Sequence, residues 1–379
     1  MLPRSVPSVS PAAFVVEEDG QGRVAMPTGI GASHHHVCCA APSRRAVLAG
    51  IAAAALPLSG AAAADAFDPA PRRVDVHHHF FPPGYVDKVA EVVGSKPSPL
   101  MTGWSAAQVL EHMDKSGVAT GIASISPWGP HFKDAAQARS LARLCNDYAA
   151  KMIADHPGRF GLFAAMPMPD IDGTLAEIAY ALDTLKADGI GFMTSYGGKW
   201  PGDPAFAPVF AELNRRKAVA YFHPNTPQCC GNLLPGVSPA LIEWPVDTAR
   251  AIVSLLFSGS LVRYPDIKFI FSHAGGALPA LSGRISNFAV RDKNAAHFAP
   301  HGVLAELAKL HYDTANAYAA PSMAALMAMA PVSQILFGSD YPYFALEQNV
   351  AGLAELRLTA AERQAINRGN AARLMPRFA

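Results

Sequence analysis

Val74-Asp75-Val76-His77-His78-His79-Phe80-Phe81-Pro82 decides how the rest of this chain is read. The run is β-branched up to its histidines and stops at a proline, so it reads as an extended strand. Strand alternation places His77 and His79 on one side, and Val74, Val76 and His78 on the other. Imidazoles two residues apart stand about 7 Å from each other at Cα and can converge on one divalent ion if the fold brings further ligands. Alone, His-x-His also fits a buried strand with hydrogen-bonded imidazoles, and the remaining chain has to decide.

Seven more apolar, strand-like runs follow: Thr120–Ser126, Phe160–Met168, Ile190–Tyr196, Ala218–His223, Ile267–His273, His311–Ala315 and Gln334–Ser339. Segments with helical spacing lie between them, for instance Leu175, Ile178, Leu182 and Leu185, or Phe206, Val209, Phe210 and Leu213. With Val74–Phe80 as the first strand, strand and helix alternate eight times, which predicts an α/β fold of the (β/α)8 TIM-barrel kind rather than an open sheet. Histidines and prolines stand where a dinucleotide-binding protein carries its glycines, which argues against a nucleotide cofactor.

In such barrels the working side chains sit at the C-terminal ends of strands. Four strand ends carry candidates: His77 and His79, then His223, then His273, then Asp340. Three imidazoles and a carboxylate make a nitrogen and oxygen donor set suited to one divalent ion, Zn or Mn, with a position open to water or substrate. His78 faces away from the fork, and His112, His131, His156, His297, His301 and His311 lack the strand-end context, so none is assigned to the metal. Tyr196, Trp104 and Trp128 are aromatic residues that either line a substrate pocket or pack in the core.

Half of the 379 residues are apolar, 16% are charged, and the formal net charge is +1. No basic block offers a footprint for nucleic acid or an acidic membrane, so the expected partner is a small molecule. Residues 1–42 are rich in Pro, Gly, Ser and Ala without periodicity. Ser43-Arg44-Arg45 then precedes an apolar run to Leu58 and the small residues Ala61 to Ala64, the parts of an export signal resembling the twin-arginine type. The run is shorter than the ~20 residues a membrane span needs. Residues 1–64 are therefore expected to be a leader, cleaved near Ala64 and with Met26 as an alternative start. Residues 65–379 are expected to form the catalytic domain, exported to a bacterial periplasm, or cytoplasmic if the leader is not used. Cys38 and Cys39 leave with the leader, and Cys145, Cys229 and Cys230 read as free thiols.

A set of motifs in order now resembles a known family. Val74-Asp75-Val76-His77-His78-His79 is followed by Asn146-Asp147-Tyr148, His156-Pro157-Gly158-Arg159-Phe160, Asp188-Gly189-Ile190-Gly191 and His223-Pro224. Ser272-His273-Ala274-Gly275-Gly276, Gly338-Ser339-Asp340-Tyr341-Pro342 and Asn370-Ala371-Ala372-Arg373-Leu374 complete it. Over residues 73–375 the chain resembles the amidohydrolase superfamily, and within it the aminocarboxymuconate-semialdehyde decarboxylase family. Thr194-Ser195-Tyr196-Gly197-Gly198, Leu213-Asn214-Arg215-Arg216 and His223-Pro224-Asn225-Thr226-Pro227 look most like its 6-methylsalicylate decarboxylase type.

The resemblance implies His77, His79, His223 and Asp340 as metal ligands, with His273 and Asp340 as the catalytic groups and His273 as the acid/base. It implies Arg284 as an arginine reaching a substrate carboxylate, sometimes across the interface of a homodimer. A second such arginine has no match, because Leu100-Met101-Thr102-Gly103-Trp104 stands in its place, and this counts against the muconate semialdehyde itself. Strand four ends in Met193-Thr194-Ser195-Tyr196 without the bridging lysine of binuclear relatives, which implies one metal; Lys199 is the nearest lysine. The implied activity is non-oxidative decarboxylation of a hydroxybenzoate-like or related unsaturated carboxylic acid. The alternative is hydrolysis of a lactone or amide by the same residues with water as nucleophile.

Intact-mass analysis of exported protein is expected to show a chain beginning near residue 65. A mass that still includes residues 1–60 overturns the export reading.

Overall fold

Eight parallel strands pair in sequential order: β1 Arg73–His79, β2 Val118–Ser124, β3 Phe160–Ala165, β4 Gly189–Met193, β5 Val219–His223, β6 Lys268–Phe271, β7 His311–Asp313 and β8 Ile335–Leu336. This computed structural model describes residues 72–379 apart from 94, 95, 126, 128, 133 and 232. The leader, Cys38, Cys39 and Trp128 lie outside the described residues. The first and last strands meet through backbone bonds: Val76 N–H donates to Phe337 C=O (3.0 Å), Asp340 N–H to His77 C=O (2.8 Å), and His79 N–H to Tyr341 C=O (2.8 Å). The sheet thereby curls into the expected (β/α)8 barrel, in which closure satisfies the groups an edge would expose.

The barrel helices are α1 Ala106–Lys115, α2 Ala135–Asp155, α3 Ile171–Ala179, α4 Ala207–Arg215, α5 Glu243–Phe257, α6 Leu278–Ala289, α7 Ala320–Met329 and α8 Leu346–Ala354. Their apolar stripes cover the outward faces of the strands. Val209, Phe210 and Leu213 of α4 are buried as their spacing predicts, with Phe206 one turn earlier. Serine or aspartate caps start α1, α2 and α3, each accepting a backbone N–H of the first turn. Among the described residues no helix is long and apolar enough to cross a membrane.

Most strands stop short of their sequence-expected ends, because ladder pairing ceases where the chain turns onto the C-terminal face. At β3 the stop is a side chain: Asn146 of α2 donates to Ala165 C=O (2.9 Å) and accepts Ala165 N–H (2.7 Å), replacing the next strand partner.

A second apolar cluster fills the barrel interior, with Val74, Val76, Ile122, Phe163, Tyr221, Ile270 and Leu336 drawn from six strands. Met375 and Phe378 join it from the C-terminal segment and close the end opposite the site. The expected alternation of β1 is corrected here. Three steps on β1, Asp75 to His78, pair with two on β2, Gly121 to Ala123, so the strand bulges. Val74 and Val76 therefore lie in the interior cluster with Tyr221, whose ring also meets that of His77 at 5.6 Å. His78 still faces away from the fork: it turns to Asp75 (3.0 Å) and stacks on Tyr341 (5.1 Å).

Phe378→Ala is expected to cost about 3 kcal/mol of stability, the usual loss for truncating a buried aromatic ring. It should appear as a lower urea midpoint, and an unchanged midpoint refutes the plug.

Candidate metal centre

The floor of the barrel's C-terminal mouth gathers side chains from β1, β5 and the turns after β6 and β8. His77, His79, His223 and Asp340 each offer one donor atom, all within 4.8 Å of one another and all buried. Asp340 Oδ1 lies 3.1 Å from His77 Nε2, 3.0 Å from His79 Nε2 and 3.9 Å from His223 Nε2, and the two Nε2 atoms of the fork are 3.2 Å apart.

The outer nitrogen of each ring decides what the inner one can do. His77 Nδ1 meets Asp313 Oδ2 at 3.0 Å, His79 Nδ1 meets Ser124 C=O at 3.2 Å, and His223 Nδ1 meets Pro224 C=O at 2.8 Å. All three partners only accept, so each Nδ1 carries the proton and each Nε2 lone pair points inward. Three lone pairs and a carboxylate aimed at one point repel unless a cation sits among them. His223 Nε2 is buried with no hydrogen-bond partner at all. The residues present fit a divalent ion with three nitrogen donors and one oxygen donor.

The titration of these groups expresses the same demand for positive charge. Burial depresses His77, but Asp313 and then Asp340 outweigh it and push it up to about 10. Burial holds His79 below the ordinary imidazole value and His223 well below it. Burial would raise Asp340, yet the facing imidazoles, His77 foremost, keep it well below the usual carboxylate range.

Backbone geometry aims the last two candidates. His273 and Asp340 both have positive φ, 53° and 63°, a conformation that costs non-glycine residues about 1–3 kcal/mol and clusters at functional sites. Gly338 lets the β8 turn pass: a Cβ there would come within 2.9 Å of the Cβ atoms of His77 and Asp313. Gly276 does so after His273, since its Cβ would lie 2.1 Å from Pro245 C=O. His273 N–H donates to Asp313 Oδ1 (2.9 Å), and its Nε2 lies 3.2 Å from Asp340 Oδ2, outside the four-donor cluster.

Above this floor a cavity of about 1050 Å³ opens, lined by His273 and Asp340 at its base and by Asn225, Trp244, Asn316 and Tyr343 among others. Trp244 Nε1–H donates to Thr226 Oγ1 (2.9 Å), and its ring meets that of His223 edge-on at 6.0 Å.

Arg284 is exposed on α6, its guanidinium 5.0 Å over the Phe288 ring, and does not line this cavity. Lys199 is exposed, 3.5 Å from Asp203, and outside the cluster. Trp104 packs with Phe80 and Tyr148, and the Tyr196 hydroxyl accepts Met193 N–H (2.7 Å), so both serve packing. His131, given no role from sequence, does line the cavity. Cys229 and Cys230, expected as free thiols, are joined as a vicinal disulfide, while Cys145 is free and buried.

Sequence reading passed over Asp313 and gave Asp75 no role. Asp313 holds His77 and the His273 backbone at once. Asp75 accepts His77 N–H (3.1 Å), Ser339 N–H (3.0 Å) and Ser339 Oγ–H (2.5 Å), tying the ligands of β1 to the turn that bears Asp340. The available signal was an acid in a strand otherwise destined for burial.

Residues 74–377 match the family model described as amidohydrolase. The chain is 35% identical to the decarboxylase macB of Penicillium terrestre, covering 81% of this chain and 95% of that protein. It is 32% identical to the 6-methylsalicylic acid decarboxylase of Penicillium expansum, covering 81% and 97%. The crystal structure of a dihydroxybenzoic acid decarboxylase from Polaromonas sp. JS666, with bound manganese and the inhibitor 2-nitroresorcinol, shares the fold: TM-score 0.72, 21% identity, 80% of this chain and 96% of that one.

Asp313→Asn is expected to weaken divalent-metal binding roughly 10–100-fold by loosening the His77 ring. Competition against a chelator measures it, and unchanged affinity shows that Asp313 does not support the site.

Proposed function

The chain belongs to the amidohydrolase family, and on that premise we propose that it is a metal-dependent carboxy-lyase removing CO2 without oxidation from a hydroxybenzoate-like acid, nearest in kind to 6-methylsalicylate. One observation carries the reading. An imidazole outside the four-donor cluster, His273, stands 3.2 Å from Asp340 at the base of an open cavity, in a chain similar over four-fifths of its length to named decarboxylases.

A divalent ion held by His77, His79, His223 and Asp340 would supply positive charge to a substrate carboxylate and the oxygen ortho to it. Zinc and manganese both suit these donors. The chain's own residues do the rest. Asp313 and the carbonyls of Ser124 and Pro224 keep the three ligand rings in one tautomer. His273, which lines the cavity beside Asp340, delivers a proton to the ring carbon that bears the carboxylate. A C–H bond forms there, the C–C bond to the carboxylate breaks, and its electron pair returns to the ring as CO2 leaves. Asp340 Oδ2 orients His273 for that transfer.

Two further parts of the proposal concern assembly and location. A homodimer, with Arg284 reaching a neighbouring site, is supported by the exposed stripe of Leu281, Arg284 and Phe288 along α6. Export by the twin-arginine route is supported by Arg44-Arg45 and by the Cys229–Cys230 pair, which suits an oxidising compartment.

His273→Ala is expected to lower CO2 release from 6-methylsalicylate by about 10²–10⁴ while bound metal stays constant. Mass spectrometry of products decides the class: wild-type enzyme that adds water to lactones or amides and releases no CO2 is a hydrolase.

A further inference from the structure

The one carboxylate among the described residues of the cavity, Asp340, lies at its floor beside His273. Among the described residues lining the cavity there is no lysine or arginine, and the ionisable ones are His131, His273, Asp340 and the phenol of Tyr343. Its walls are mainly apolar, with Leu241, Trp244, Ala280, Pro321, Ala325 and Phe344, and their polar side chains, such as Asn225, Asn316 and Ser322, are uncharged. Helix α7 has one polar side chain, Ser322, in ten residues, so it is apolar on its solvent side as well as its core side. A helix apolar all round calls for an apolar neighbour on both sides. On the cavity side its small residues leave the space open rather than filled. The groove runs from Asp340, 5% exposed, to Leu241, 68% exposed, at the mouth.

A substrate whose carboxylate and ortho oxygen face the floor must project the rest of its ring into this groove. At about 1050 Å³ the space lies just above the usual range for pockets that enclose drug-sized ligands, far beyond what a methyl group needs. We propose that the groove is a binding site for an extended, uncharged, apolar substituent on the ring, so that the preferred substrates are hydroxybenzoates with chains longer than methyl. This rests on the hydroxybenzoate decarboxylase reading and specifies its substrate class.

Salicylates carrying methyl, propyl, pentyl or heptyl at position 6, and a heptyl chain ending in a carboxylate, test it on the metal-loaded full chain. Each buried methylene should tighten binding about three- to four-fold, so kcat/KM is expected to rise at least tenfold from methyl to pentyl. The terminal carboxylate should cancel the gain. Ala325→Phe or, independently, Ala280→Phe should bring the pentyl-to-methyl ratio close to one. A ratio that is flat or falls with chain length in the wild type overturns the proposal, as does a gain kept by the charged chain. Calorimetric dissociation constants on metal-loaded His273→Ala protein read the groove without turnover. If binding tightens with chain length but the wild type releases no CO2 from any of the acids, the decarboxylase reading fails and the groove stands. If CO2 is released but affinity ignores chain length, the groove fails and the decarboxylase stands.

Discussion

Three imidazole lone pairs and a carboxylate oxygen crowded into one small space repel each other, and the structure depends on what keeps them there. Buried acceptors on the outer nitrogens allow each ring one tautomer, which leaves the Nε2 atoms of His77 and His79 only 3.2 Å apart. In a low-dielectric interior that arrangement demands a cation, and the same demand appears as a proton held on His77 up to about 10. Metal binding and protonation are two answers to one electrostatic requirement.

Barrel closure and site assembly are the same event. The seam between β8 and β1 is sewn by Asp340 N–H to His77 C=O and by Ser339 to Asp75, so ligands 263 positions apart in sequence become neighbours by the bonds that remove the sheet edge. The cost of positive φ at Asp340 is met there, because leaving the turn means opening the seam. Asp313 repeats the device one strand away, where one carboxylate orients a ligand ring and anchors the backbone of His273.

Chemistry and recognition are separated by height in the mouth. Asp340 and His273 lie at the base, whereas the walls above are mainly alanine, proline and aromatic surface from α6, α7, the start of α5 and the turn after β8, with uncharged polar side chains such as Asn225 and Ser322 among them. Of these wall residues Trp244 also touches the donor set, through its edge-on contact with His223.

Much of this was legible in the residues themselves. Periodicity marked all eight strands, and the strand-end rule of barrels picked out His77, His79, His223, His273 and Asp340, because both follow from local patterns. Interactions that depend on distant partners were not legible. The bulge in β1 arises from pairing with β2 and breaks an alternation the sequence obeys on paper. Asp313 looks like any acid until β7 lies beside β1, and Trp104 and Tyr196 look like pocket residues until their neighbours enclose them. Cys229 and Cys230 looked too close to pair until the turn after β5 was seen. The sequence by itself determined the barrel and the five candidate side chains at its strand ends, since strand periodicity and residue chemistry are local properties, while the separation of His273 from the four donors rested on the family resemblance and on the structure. Only the tertiary structure decided which nitrogens face inward and how wide the mouth stands, because both are set by side chains that meet across the closed barrel.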